Sequence, residues 1–181
     1  MDWIKSFCIK NFRACLLISA AVCLLTLAGC SIKYTIHGST LNYNVYKTIN
    51  ISEFPIRAAL VYPPLQQTFE NELLDVVTRQ TRLQEVDTPN ADLEMSGEIT
   101  GYSLSPQAVG EDAYATQTRL TISVRVKYVD RHNEANNIDQ TFSAYRDFTS
   151  TEMLTDVQDE LCRQISEDLV NLIFNATLGN W

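Results

Sequence analysis

The sequence predicts an α+β fold: a two-layer sandwich with a mainly antiparallel sheet of four or five strands and two amphipathic helices on one face. Three observations carry this. Clean two-residue alternation recurs in the middle of the chain, above all in Arg119 to Asp130. Apolar residues recur at three- and four-residue spacing in two stretches, one after Pro63-Pro64 and one at the end of the chain. The order is strand, helix, strand, strand, strand, helix. Strands that alternate cleanly have one wet face, which leaves both helices the other side of the sheet to cover.

The chain begins with a segment of a different kind. Lys5, Lys10 and Arg13 precede an uncharged run from Ala14 to Leu27. That run is too short to span a bilayer, which takes about 20 apolar residues, and has the length of a signal-peptide core. Leu27-Ala28-Gly29-Cys30 then reads as a bacterial lipobox, with small residues before the cleaved bond and the Cys30 thiol as acyl acceptor. The competing reading is an uncleaved anchor helix with an incidental Cys30. Cleavage before Cys30 removes residues 1–29 and leaves a mature chain of one domain's length. A diacylglyceryl thioether plus an N-acyl chain supplies the two or more acyl chains that stable anchoring needs. The export signal expects a cell-envelope location.

Whole-chain charge is −8. Residues 1–29 hold three basic and one acidic side chain, which leaves 11 basic and 21 acidic residues and a mature net charge near −10. Such a chain has no bulk attraction for nucleic acid. Five cysteines suggest disulfides, but Cys8, Cys15 and Cys23 leave with the signal and Cys30 is acylated. Cys162 alone remains, on a helical pattern, where a buried inert thiol is expected.

The elements follow in order. Residues 30–46 form a lipidated arm, with alternation at Ile32, Tyr34 and Ile36. Tyr46 to Phe54 alternates around Ile49 and Ile51 and reads as a half-buried strand that Pro55 stops. Pro63-Pro64 opens a helix to about Arg82, since a proline in the first turn gives up only an N–H that would be unpaired there. Leu65, Phe69, Leu73, Val76 and Val77 form its apolar stripe. Leu83 to Val86 is short and extended, and Asp87 to Asn90 is a turn.

Ala91 to Gly101 places Leu93, Met95 and Ile99 inward. At Gly101 the phase changes to Tyr102 and Leu104, which predicts a bulge. Ser105 to Ala115 reads as a loop. Arg119 to Asp130 sends Leu120, Ile122, Val124, Val126 and Tyr128 to one face and Arg119, Thr121, Ser123, Arg125 and Lys127 to the other. Arg131 to Asn137 is a polar hairpin loop, and Ile138 to Phe148 returns with Phe142 and Ala144 inward. Thr149 to Glu152 fits a capping box. A last helix then carries Leu154, Val157, Leu161, Ile165, Leu169, Leu172 and Ile173 on one stripe, with Gly179 as the stop.

The residues that carry chemistry are few. There is no glycine-rich phosphate loop, zinc spacing or nucleophile elbow. His37 and His132 lie in polar, loop-like contexts that expect solvated side chains. The polar cluster with functional content is Arg119, Arg125 and Lys127 on one strand face, with Arg131 and Arg146 near across the hairpin. Cations held this way can grip phosphate groups. The alternative is that they pair with Glu94 and Glu98 on the neighbouring strand, an ordinary cross-strand arrangement.

Leu93 to Tyr102, Arg119 to Tyr128 and the closing Leu172 to Trp181, with Lys47 to Ile51 and Gln80 to Leu83, together resemble the lipopolysaccharide-assembly lipoprotein family LptE, in the form found in Bacteroidetes. The resemblance spans nearly all of the mature chain, with residues 47–181 as the family's α/β domain. It implies a lipid-anchored, non-enzymatic protein of the outer membrane's periplasmic leaflet, with no cofactor or metal. Its implied partners are an LptD-type outer-membrane β-barrel, whose lumen it plugs and whose assembly it assists, and lipopolysaccharide. Arg119, Arg125 and Lys127 are then candidates for lipid A phosphate contact. Two other classes stay open: an auxiliary lipoprotein of an ABC-type envelope lipid transport system, and a periplasmic lipid-modifying enzyme, for which no candidate residue stands out.

Overall fold

The structure, a computed structural model, describes residues 41–60, 62–108 and 115–179. The signal segment, Cys30, residues 31–40 of the arm and His37 lie outside these described residues, whereas Leu41 and Tyr46 at the end of the arm are buried in the core. Within them, β1 (Thr48–Ile51) is followed by α1 (Pro64–Gln80), β2 (Gln84–Glu85), β3 (Leu93–Ala108), β4 (Ala115–Asp130), a 3-10 turn (Glu134–Asn136), β5 (Ile138–Thr149) and α2 (Leu154–Thr177).

The sheet is mixed, with strand order β2-β1-β3-β4-β5. β3, β4 and β5 pair antiparallel, as the alternation predicts, but β1 runs parallel to both β2 and β3. The reason is the crossover: α1 carries the chain back to the start of β1, so β2 can only enter alongside it in parallel. The two-residue β2 is the short extended stretch expected after the first helix.

Pro55 does not stop the pairing. Its carbonyl accepts the N–H of Ile99 at 3.0 Å, and the Arg57 N–H returns to the Ile99 carbonyl at 2.8 Å. A proline loses only its donor, so the segment bulges at Phe54 and then resumes along β3. The bulge drives the fully buried Phe54 ring into the core, edge-on to Phe69 with centroids 5.1 Å apart. The ring has room because residue 97 is glycine. A Cβ there would stand 2.6 Å from Phe54 Cε1 and 2.1 Å from the Arg125 carbonyl oxygen.

α1 starts at the prolines as expected, with Pro63 at the N-cap and Pro64 at the first helical position. Leu65, Phe69 and Leu73 are essentially fully buried, each stabilising the fold by about 2 kcal/mol. Thr81 ends the helix by turning extended while its hydroxyl donates to the Val77 carbonyl at 2.7 Å.

The bulge predicted near Gly101 is present. Ile99 pairs with Val124 and Gly101 with Ser123, which leaves Thr100 as the extra residue and turns Tyr102 inward. Leu104 stays 40% exposed. The expected Ser105–Ala115 loop is strand at both ends: β3 continues to Ala108 and β4 begins at Ala115. Pro106 is tolerated because, among the described residues, no strand lies on the outer side of β3 there.

The capping box closes only in part. Glu152 accepts the Thr149 N–H at 3.2 Å, yet α2 starts at Leu154 behind Met153, which makes no side-chain cap bond. The carboxylate therefore seals the turn between β5 and α2. The buried stripe of α2 is Leu161, Cys162, Ile165, Leu169, Val170, Ile173 and Phe174, while Leu172 is 47% exposed. Gly179 ends the helix as predicted, its N–H donating to the Phe174 carbonyl at 2.8 Å. α1 and α2 pack together, and their stripes join the apolar sheet face in one buried cluster.

Candidate functional site

The face of β4 turned away from the core carries Arg119, Thr121, Ser123, Arg125 and Lys127, as the alternation requires. Register then decides what these side chains meet. Arg119 lies opposite Asp147 of β5, and Lys127 opposite Asp139, whereas Arg125 lies opposite Thr141 and reaches Asp139 diagonally. Arg119 forks onto Asp147 with Nε–Oδ1 2.7 Å and Nη2–Oδ2 2.8 Å. Arg125 forks onto Asp139 at 2.8 and 3.0 Å. Arg119 also stacks on the Tyr145 ring, 3.7 Å from guanidinium carbon to centroid, a cation–π geometry. The Ser123 and Ser143 hydroxyls bond across the middle of the face at 2.8 Å.

Arg119 and Arg125 are thus ion-paired, but not with the expected Glu94 and Glu98 of β3. Their partners are Asp139 and Asp147 of β5, and Glu94 pairs instead with Arg131. Alternation placed the arginines on one face without revealing which flanking strand held the better-placed carboxylates. The charge-assisted bond to Arg119 holds Asp147 below the usual carboxylate range, and the bond to Arg125 does the same for Asp139, with Lys127 adding to the field there. Lys127 makes no ion pair among the described residues. Ser96, Glu98, Arg125, Lys127 and Asp139 line a shallow depression of 410 Å³. With three cations against Glu98, Asp139 and Asp147, the face is zwitterionic. It can take a phosphate by exchanging one carboxylate partner, with Lys127 as the cation already at hand.

The sequence reading missed a second polar centre at one end of the sheet. Asp130 is fully buried at the end of β4. It accepts from the Tyr46 hydroxyl at 3.0 Å, the N–H groups of His132 and Asn133 at 2.8 and 3.0 Å, and Asn136 Nδ2 at 2.9 Å. His132, expected to be solvated, bonds Asp92 at 2.9 Å and meets the Tyr46 ring edge-on at 5.3 Å. Asp92 also accepts the N–H groups of Lys47 and Thr48 and the Thr48 hydroxyl, each at 2.9 Å. Burial acts to raise the Asp92 carboxyl, but the bonds from His132, Lys47 and Thr48 together outweigh it and hold the group well below its ordinary value. The Asp-x-x-Asn composition of 130–133 was the available signal, since such residues bond their own turn backbone. The centre ties β1 to the β4–β5 turn.

Cys162 is buried as predicted. Burial pushes its thiol up to about 11, a contact with the Tyr102 hydroxyl lowering it in part. Among the described residues no group of histidines, cysteines and carboxylates is placed to hold a metal ion, and no helix is long and apolar enough to cross a membrane.

A family model described as "LptE: Lipopolysaccharide-assembly" matches residues 46–177. The chain belongs to the LptE family. The match begins two residues before β1 and ends at the last residue of α2, so it covers every strand and helix described above. Among solved structures, the chain is similar to uncharacterized lipoprotein B of Nitrosomonas europaea, with TM-score 0.52 and 14% identity over 80% of this chain and 87% of that one. It is also similar to a Xanthomonas campestris protein, with TM-score 0.50 and 12% identity over 78% and 88% of the two chains. At these identities the likeness shows the fold. No curated protein matches the chain.

Proposed function

We propose that this LptE-family protein is a lipid-anchored, non-enzymatic component of the lipopolysaccharide export machinery at the periplasmic leaflet of the outer membrane. It seats in the lumen of an LptD-type β-barrel, helps that barrel assemble, and assists lipopolysaccharide insertion. The observation that carries this reading is the family match over the whole described domain. The physical logic supports it. A barrel of many strands leaves an aqueous lumen, and a small rigid sheet-and-helix domain is a suitable filling. Cys30 supplies the anchor, and the mature chain's negative charge suits a plug that meets basic side chains on a barrel wall. The zwitterionic face at Arg119, Arg125 and Lys127 is the proposed contact for lipid A phosphates.

Affinity purification of the tagged lipoprotein from its native envelope in mild detergent tests the partner. A large outer-membrane β-barrel recovered in near-equal amount is the expected result. Recovery with a permease and ATPase would instead make the protein an auxiliary of an ABC-type lipid transport system. For the ligand, Arg125→Ala with Lys127→Ala should weaken lipopolysaccharide binding while leaving the melting temperature unchanged; unaltered affinity would assign these residues to ion pairing alone. For the anchor, Cys30→Ala should leave the signal uncleaved.

A further inference from the structure

The two arginine forks on the outer face of β4 are closed to different degrees. Arg119 and Asp147 have side chains 30% and 27% exposed, and the Arg119 guanidinium is also stacked on the Tyr145 ring. Arg125 and Asp139 lie more open, at 54% and 48%. An exposed ion pair is held weakly, because water and salt screen it. The Arg125 fork is therefore the one that a competing anion can open.

Asp139 stands where one carboxylate meets two cations. It lies directly opposite Lys127 in the β4–β5 register, and its two oxygens accept Nε and Nη2 of Arg125. Arg125 holds its carboxyl below the usual range, and the Lys127 charge adds to that. A guanidinium fork receives carboxylate and phosphate oxygens in the same bidentate way. On the β3 side of the depression, Ser96 and Glu98 stand opposite Lys127 and Arg125. Ser96 brings a hydroxyl to the seat, and the Glu98 charge bears on Arg125. Arg119 is six residues from Arg125 along β4, about 20 Å at the rise of a strand. That is about two Debye lengths at physiological salt, so the two forks act independently.

We propose that Asp139 is a built-in stand-in for the ligand's phosphate: it fills the seat between Arg125 and Lys127, and a phosphomonoester binds by displacing it, while Arg119 stays closed on Asp147 and Tyr145. This rests on the reading of the face as a lipid A phosphate contact, and narrows that contact to two cations. On displacement Arg125 exchanges one pair of oxygens for another. Lys127, which makes no ion pair among the described residues, acquires one. The freed Asp139 side chain turns to water. A phosphomonoester carries a charge of about −1.5 to −2 at neutral pH, against one for the carboxylate, so it can win the seat. A phosphodiester head group carries a single charge and has no such advantage. The seat therefore selects the monoester phosphates of lipid A over the phosphodiesters of a surrounding bilayer. Because Asp139 returns as the phosphate leaves, binding stays reversible, as suits a lipid in transit.

Titration of lipid A in detergent micelles against the solubilised full-length lipoprotein at physiological salt tests the proposal. Asp139→Asn and Asp147→Asn each raise the net charge by one, so bulk attraction changes equally in both. Asp139→Asn should tighten binding about fivefold by removing an exposed counter-ion, and Asp147→Asn should leave it within about twofold, since its charge is screened from the seat. Micelles of phosphatidylglycerol, a phosphodiester, should bind wild type more weakly than lipid A does. Inorganic phosphate should compete only weakly with lipid A; competition equal to that of unlabelled lipid A would give the seat to free phosphate and overturn the lipid assignment. Equal tightening by both variants would reduce the effect to net charge and overturn the role of Asp139. If Arg125→Ala with Lys127→Ala weakens binding but Asp139→Asn does not tighten it, the phosphate contact stands and the stand-in fails. If dephosphorylated lipid A binds as well as lipid A and no variant changes affinity, the phosphate contact fails and the stand-in with it. An unchanged melting temperature confirms that each variant is folded.

Discussion

Asp130→Ala is the substitution to which this fold should be most sensitive for its size. It removes the buried acceptor of four donors: the Tyr46 hydroxyl, two turn N–H groups and the Asn136 amide. A hydrogen bond to a charged group contributes about 1.5–3 kcal/mol. His132 and Asn133 are exposed, so water recovers much of what their N–H groups lose. The Tyr46 side is buried, and recovers little. The expected total is about 4 kcal/mol, a large share of the stability of an ordinary domain. Asp130→Asn keeps one acceptor oxygen for the turn but presents an amide to the Tyr46 hydroxyl and Asn136, and should cost about half as much. Urea unfolding of the purified protein measures both, with an unchanged slope showing that the native state has not loosened. A loss below about 1 kcal/mol for Asp130→Ala would refute the argument, because it would mean that water serves all four donors equally well.

Gly97→Ala forces a methyl group onto Phe54 and the Arg125 carbonyl, and should cost about 3 kcal/mol in the same assay, against a near-neutral change if the site can relax. The Cys162 thiol, raised by burial to about 11, should be about one part in a thousand thiolate at pH 8; it should resist a thiol reagent in the native protein and react quickly in urea, and fast native labelling would contradict its burial. Asp92 has a folded value depressed below its unfolded one, so its stabilising contribution is present above the ordinary aspartate range and fades as pH falls below about 4. Asp92→Asn should flatten that acid-side slope, and parallel pH profiles for the two proteins would refute the linkage.

Much of the architecture was legible because burial leaves a period in the sequence. β4 alternates without a break, and its five inward residues are all fully buried. The glycine with a phase change marked a real bulge, and two prolines marked the start of α1, since both signals act on the backbone within a few residues. The α2 stripe departs from its spacing at Leu172, which fits the helical period but falls just outside the angle that neighbouring elements cover. The loop expected from Ser105 proved to be strand because antiparallel pairing with Arg119 and Thr118 outweighs local turn composition.

The site divides along the same line. Alternation alone determined that Arg119, Arg125 and Lys127 share a face, because side chains leave a strand with a period of two whatever lies beside it. Only the tertiary structure decided that their partners stand on β5, that β1 pairs in parallel, and that the exposed His132 bonds Asp92 beside the buried Asp130. Strand order and register are properties of the whole chain path. A sequence period reports which way a residue points, and the neighbour it meets is fixed by crossovers and turns that bring together residues as far apart as Tyr46 and Asp130.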